Sequence, residues 1–126
     1  MLEVQKRLRH SWEFRRFFGQ SQTIRLSECL VYFMKNEQDT FRLGITMKAR
    51  GNSVQRNRVK REIREAFRAL SPLLGKKDYN VVVPSSKKLV FPYQRMLRQA
   101  LGHEFRQALL KDEIEPAGTG NGKASQ

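Results

Sequence analysis

Acidic side chains are scarce in this chain. Only 12 of its 126 residues are Asp or Glu, against 25 Lys or Arg, leaving a formal charge of +13. Nine of the acids precede residue 112 and none pairs convincingly, so a cage of carboxylates holding catalytic metals is not expected. Cysteine is nearly absent: Cys29 stands alone, which excludes an internal disulfide and suits a reducing compartment. The two histidines, His10 and His103, lie far apart without a partner at metal-ligand spacing, so no zinc site is expected. Glycines are too sparse for a P-loop or a dinucleotide fingerprint. Ser85-Ser86 lacks a supporting His or Asp arrangement for nucleophilic catalysis. No apolar run approaches the roughly 18 residues that span a bilayer. Met1 to Arg7 carries charge with no apolar stretch behind it, so no secretory signal is expected. These absences together argue against a protein-borne active site.

What is present suits one folded domain. A hydrophobic fraction of 39% with eight Phe is too high for a disordered basic tail. The length allows a single domain with a real core. The charge favours a polyanionic partner, nucleic acid first and an anionic membrane second. It is also unevenly placed. Residues 112–126 hold Asp112, Glu113, Glu115 and Lys123, a net of −2, so residues 1–111 carry +15.

The pattern predicts an order α-β-β-α-β-α in an α/β fold. Residues 1–10 form a basic arm, residues 11–111 the domain, and residues 112–126 a disordered acidic, glycine-rich tail. Ser11 caps a short helix to about Phe18, ended by Gly19. Residues 23–34 read as one strand entering the core, and Phe41 to Met47 as its hairpin partner across the turn Asn36 to Asp39. Gly51-Asn52-Ser53 is a break followed by a helix cap, and a helix runs to Leu70. Its apolar positions Val59, Ile63, Ala66, Phe67 and Leu70 share one sector, with Asn57, Arg61, Arg64 and Arg68 opposite and Lys60 on the flank. Ser71-Pro72 ends that helix. Tyr79 to Val83 is a third strand, an extra strand near Leu89–Phe91 is possible, and Pro92 starts a last helix to about Leu110.

The densest chemical signal lies between Lys48 and Arg68, with eight bases (Lys48, Arg50, Arg56, Arg58, Lys60, Arg61, Arg64, Arg68) against Glu62 and Glu65. Guanidinium groups bind phosphate bidentately, and arginines three and four apart line one strip of a helix. Asn57 offers a donor and an acceptor for a base edge or a 2′-hydroxyl. A surface helix held by Glu–Arg pairs is the plain alternative, but two acids cannot offset eight bases.

Arg56-Asn57-Arg58, followed by Lys60-Arg61 and Arg64-Glu65-Ala66-Phe67-Arg68, closely resembles the signature helix of the protein subunit of bacterial ribonuclease P. Arg7-Leu8-Arg9 with Glu13-Phe14 and Phe18 is similar to that family's basic arm and first helix. Leu30-Val31-Tyr32 and Arg42-Leu43-Gly44-Ile45-Thr46 look like its first two strands. The resemblance covers about residues 6–110. It implies an α/β sandwich with a mixed sheet of about four strands and a left-handed βαβ crossover. It implies a cytoplasmic accessory subunit for a catalytic RNA that hydrolyses the 5′ leader from precursor tRNA with Mg²⁺ held through the RNA. The protein alone binds no cofactor, and neither a membrane nor an obligate protein partner is implied.

Carried onto this chain, the resemblance gives a surface for the catalytic RNA at Arg56, Asn57, Arg58, Lys60, Arg61, Arg64 and Arg68. Lys48 and Arg50 join it, although the stretch Met47 to Gly51 is one residue shorter than the family pattern. A second surface, for the single-stranded leader, includes Phe14, Phe18 and Tyr32. Lys6, Arg7 and Arg9 add RNA contacts from the arm. Phe14 and Phe18, four apart on one helical face, would form a stacking platform that tolerates any leader sequence, whereas Phe17 points elsewhere. Cys29 is expected to be a small buried residue. Two other readings remain open at this stage: a general nucleic-acid-binding or ribosomal protein, and a protein-only nuclease.

Overall fold

The computed structural model describes residues 6–8, 11–17, 19 and 21–114. Ten stretches of regular structure follow one another. They are α1 (Ser11–Arg15), β1 (Gln22–Arg25), β2 (Leu30–Lys35), β3 (Arg42–Met47), α2 (Ser53–Ala69), α3 (Ser71–Leu74), β4 (Lys77–Val83), α4 (Tyr93–Gln99), a π-helical turn (Ala100–Phe105) and α5 (Arg106–Ile114). The strands make one mixed sheet in the order β1-β2-β4-β3. β1 and β2 are antiparallel, β2 and β4 are antiparallel, and β3 and β4 are parallel.

Four expectations are corrected here. The apolar stretch 23–34 is not one strand but a hairpin, because Leu26 N–H donates to the Cys29 carbonyl at 2.9 Å and reverses the chain. Ser27 at that turn is tied down by its backbone N–H and hydroxyl, which donate to the Glu104 carboxylate at 2.8 and 2.7 Å. β3 is not the hairpin partner of β2; it runs parallel to β4, which inserts between them after the α2–α3 crossover. Residues 89–91 form no strand, and the last helix continues to Ile114, into the stretch expected as tail. The remaining expected tail, residues 115–126, lies outside the described residues.

The sheet's two faces differ because side chains alternate along each strand. One face carries Val31, Leu43, Tyr79, Val81 and Val83, all buried. The last helices and α2 close over it with Val59, Ile63, Phe67, Leu97, Leu101 and Phe105 to form the main core. Phe67, Tyr79 and Phe105 meet at its centre with ring centroids 5.2 to 6.0 Å apart, in tilted and edge-on contacts. Val59, Ile63 and Phe67 are fully enclosed, as the 3.6-residue period requires, so the polar side of α2 must face outward.

The opposite face of the sheet carries a second, smaller cluster at one end. There α1 and the arm pack Phe17 and Leu8 onto Met34, with Phe14 and Tyr32 at the margin. An ionic cluster fixes this packing. Arg42 donates two hydrogen bonds to Asp78, at 2.9 and 2.8 Å, and a third to Glu13 at 3.1 Å. Asp78 is 1% exposed, and Asn36 donates to it as well. These hydrogen bonds hold the Arg42 guanidinium firmly protonated, its pKa raised first by the bond to Asp78. A buried carboxylate persists only with such partners.

Candidate RNA interface

Helix α2 presents the basic residues from a fixed start. Asn52 caps it in a reciprocal box: its side chain accepts from Gln55 N–H at 2.8 Å, and the Gln55 side chain accepts from Asn52 N–H at 3.0 Å. Asn57, Arg61, Arg64 and Arg68, at spacings of four, three and four, share the stripe that faces away from the core. Asn57, Arg61 and Arg68 are exposed, whereas Lys60 and Arg64 are half-buried on the way to the sheet edge. Arg56 and Arg58 are exposed too, but helical geometry puts Arg58 on the other flank with Glu62 and Glu65. On that flank Glu62 accepts two hydrogen bonds from Arg98 of α4, at 2.8 and 2.7 Å, which hold its carboxyl below the usual range. The bases expected as one surface are therefore divided: Arg58 shares its flank with Glu62 and Glu65, and Arg68 at the end of the stripe donates to Glu65 at 2.9 Å.

The arm adjoins the stripe. Leu8 N–H donates to the Leu43 carbonyl at 2.8 Å, and Arg7 bridges to Leu43 in parallel, so the arm extends the sheet beyond β3. Arg64 feels the Arg7 charge: burial first, and then this repulsion, lower its pKa below the ordinary arginine value. Lys6 lies over the Phe41 ring, 5.4 Å from its centroid. Arg9 falls outside the described residues. In the short loop before α2, Ala49 is buried while Lys48 and Arg50 on either side of it are exposed. Lys48 N–H donates to the Val83 carbonyl at 2.9 Å, so the shortened loop is anchored and still delivers both bases to solvent.

The rest of the sheet face packed by α1 offers a second candidate surface, on which Leu30, Tyr32 and Thr46 are half-buried and Gly44, Asn80 and Val82 are buried. Two registered rows cross it: Thr23, Tyr32, Asn80 and Gly44, then Arg25, Leu30, Val82 and Thr46. Tyr32 is half-buried, and the Thr46 hydroxyl donates to the Asn80 side-chain oxygen at 3.0 Å. Phe14 stands at the edge of this floor with its ring directly on Gly44, where an added Cβ would come within 2.4 Å of the ring. Only glycine leaves room for that approach. Phe14 and Tyr32 are thus brought together at the margin of this floor, both packed against Leu8, Phe17 and Met34. α1 ends at Arg15, and Phe18, the other half of the expected stacking platform, lies outside the described residues. Phe17 is buried against Met34 and Leu8.

Thr46, Asn80, Arg25 and Gly44 were not singled out by sequence. The alternation Arg42-Gly44-Thr46 puts them on the face opposite Leu43 and Ile45, but Asn80 joins them only through the register of β4. Cys29 is buried, and burial with Glu104 and Glu28 nearby pushes its thiol up to about 12. Among the described residues no group of three His, Cys, Asp or Glu is placed to hold a metal ion. Among them, too, no helix is long and apolar enough to cross a membrane.

Comparison with known proteins gives a consistent result. The family model for ribonuclease P matches residues 2–109. The ribonuclease P protein component of an Exiguobacterium species is 32% identical over 108 residues, spanning 85% of this chain and 93% of its own. That of Staphylococcus aureus strain JH9 is 31% identical over 105 residues, spanning 80% and 90%. Among solved structures, an RNase P protein from Staphylococcus aureus superposes with a TM-score of 0.66 at 29% identity, covering 86% of this chain and 95% of that one. The RNase P protein from Thermotoga maritima gives 0.60 at 27% identity, covering 87% and 98%. A mixed four-stranded sheet with helices, a capped basic helix and full-length relatives under one description agree: the chain belongs to the bacterial ribonuclease P protein family, the accessory protein component of a tRNA-processing endoribonuclease.

Proposed function

We propose that this protein works in the cytoplasm with its two surfaces divided between two RNAs. The stripe Asn57-Arg61-Arg64-Arg68, with Arg7, Arg56, Lys48 and Arg50 around it, docks the catalytic RNA. The cleft of Phe14, Tyr32, Asn80 and Thr46 holds the single-stranded leader of precursor tRNA. The observation that carries this reading is the outward-facing stripe itself: Asn57, Arg61, Arg64 and Arg68 on a helix whose start is fixed by the Asn52 cap and whose other face is locked into the core. Arginines at these spacings match successive backbone phosphates. Leader binding is supported by the half-buried Phe14 and Tyr32 rings and the Thr46 hydroxyl on one face of the sheet, which can stack on and hydrogen-bond unpaired bases without demanding a sequence.

The protein contributes binding and positioning. Glu13, Asp78 and Glu62 are each engaged by arginines, which suits a division in which Mg²⁺ is held by the RNA rather than by these side chains. Reconstitution with the cognate catalytic RNA at low Mg²⁺ tests the reading. The protein should raise the rate of leader cleavage, and no gain over RNA alone would overturn it. The double substitution Arg61→Ala, Arg64→Ala should weaken binding to the catalytic RNA and reduce the salt slope by about 2. Phe14→Ala should lower affinity for precursor relative to mature tRNA; equal losses for both would remove the leader role.

A further inference from the structure

The loop between β4 and α4 spends its largest apolar side chain on solvent. Leu89 and Tyr93 on either side turn inward and are buried, yet Phe91 is 75% exposed and Val90 is 49% exposed. Met96, one turn into α4, is 41% exposed. Nothing in the fold gains from this. α4 starts at Tyr93 with Pro92 at its cap position, so Phe91 lies just outside the helix and takes no part in capping it. Single exposed apolar residues are ordinary, but a bare aromatic ring beside further exposed apolar residues marks a contact site.

The surroundings identify the partner's chemistry. The Arg95 guanidinium lies over the Phe91 ring, 5.6 Å from its centroid. Of the bases in residues 79–103, Lys87 is paired with Glu28 and Arg98 with Glu62, while Lys88 and Arg95 are exposed nearest the ring in sequence. The loop also abuts the start of α2: Leu89 Cδ1 lies 3.1 Å from where a Cβ would stand on Gly51. That stretch is one-sided, since residues 40–61 contain no acid. An acidic protein could use the charge, but an exposed ring under a guanidinium fits an unpaired base followed by its phosphate.

We propose that Phe91, steadied by Arg95, is a stacking seat for an unpaired base of the catalytic RNA, a third contact next to the α2 start and distinct from the leader cleft. The proposal rests on the reading of α2 as the RNA-docking helix, so the test carries both. Binding of the full-length protein to its cognate catalytic RNA would be measured across a salt series for the native chain, Phe91→Ala, Phe91→Trp and Arg61→Ala with Arg64→Ala. Phe91→Ala should weaken binding by about tenfold with an unchanged salt slope, because stacking releases no counterions. Phe91→Trp should retain native affinity. Thermal unfolding of Phe91→Ala should match the native chain, given the exposure of the ring. Native affinity in Phe91→Ala alongside a loss in the arginine double variant would overturn the stacking seat and leave the docking helix standing. Native affinity in both would overturn the docking reading as well. Loss of self-association in Phe91→Ala, by sedimentation, with RNA affinity intact would assign the ring to a second copy of the chain and overturn the proposal.

Discussion

Two residues show how tightly the cleft and the core are specified. Gly44 is the seat of the Phe14 ring, and a methyl there would come within 2.4 Å of it. Gly44→Ala must displace α1 or the ring, at a cost of about 1–3 kcal/mol typical of overpacking. Urea unfolding should show that loss. In the Phe14→Ala background the same substitution should cost far less, since its collision partner is gone; equal costs in both backgrounds would refute the contact. Cys29 gives a pH prediction. Its thiol is held neutral up to about 12 in the folded chain, against an ordinary value of 9.0. The unfolded chain therefore releases this proton first, so the contribution is whole below pH 9 and falls as pH rises above it. The slope is about 1.4 kcal/mol per pH unit within that window. Stability measured at pH 9 and pH 10 should fall more steeply in the native chain than in Cys29→Ala.

At the scale of elements, α2 is the part that sequence describes best. Its cap, its buried row and its outward stripe all follow from local rules, because a helix satisfies its own backbone and needs only one apolar face. Asn52→Ala should cost about 1 kcal/mol by removing the cap, with an unchanged dependence on denaturant. RNA affinity should fall far less than in the arginine double variant, because Val59, Ile63 and Phe67 hold the stripe in place beyond the first turn. The strands were less legible. The β1–β2 turn at Leu26–Cys29 is flanked by apolar residues and held by Glu104, 77 residues away from Ser27, so nothing local marks it strongly. The parallel pairing of β3 with β4 is set by the crossover through α2 and α3, and sequence spacing favoured a hairpin instead. For the same reason the cleft was only half visible. Phe14 and Tyr32 stand out as aromatic, whereas Asn80 and Thr46 become site residues only when β4 is placed beside both β2 and β3.

For the whole molecule, the charge is best understood through the sheet that separates its users. The α2 stripe lies on one side of the sheet, and the Tyr32–Asn80 floor lies on the other. Substitutions on the two sides share no partner, so their effects on precursor tRNA binding by the holoenzyme should add within about 0.5 kcal/mol. Combining Arg61→Ala with Tyr32→Ala tests this directly. The arm is the exception, because alternation along an extended chain sends neighbouring residues to opposite sides. Arg7 acts on Arg64 beside the stripe, while Leu8 is buried with Phe17, Phe14 and Met34 under the cleft. Leu8→Ala loosens the segment that both surfaces use. It should lower affinity for the catalytic RNA and also reduce the preference for precursor over mature tRNA, a double loss that neither Arg61→Ala nor Tyr32→Ala produces alone. If Leu8→Ala changes only one of the two measurements, the arm serves one surface and the coupling through it is absent.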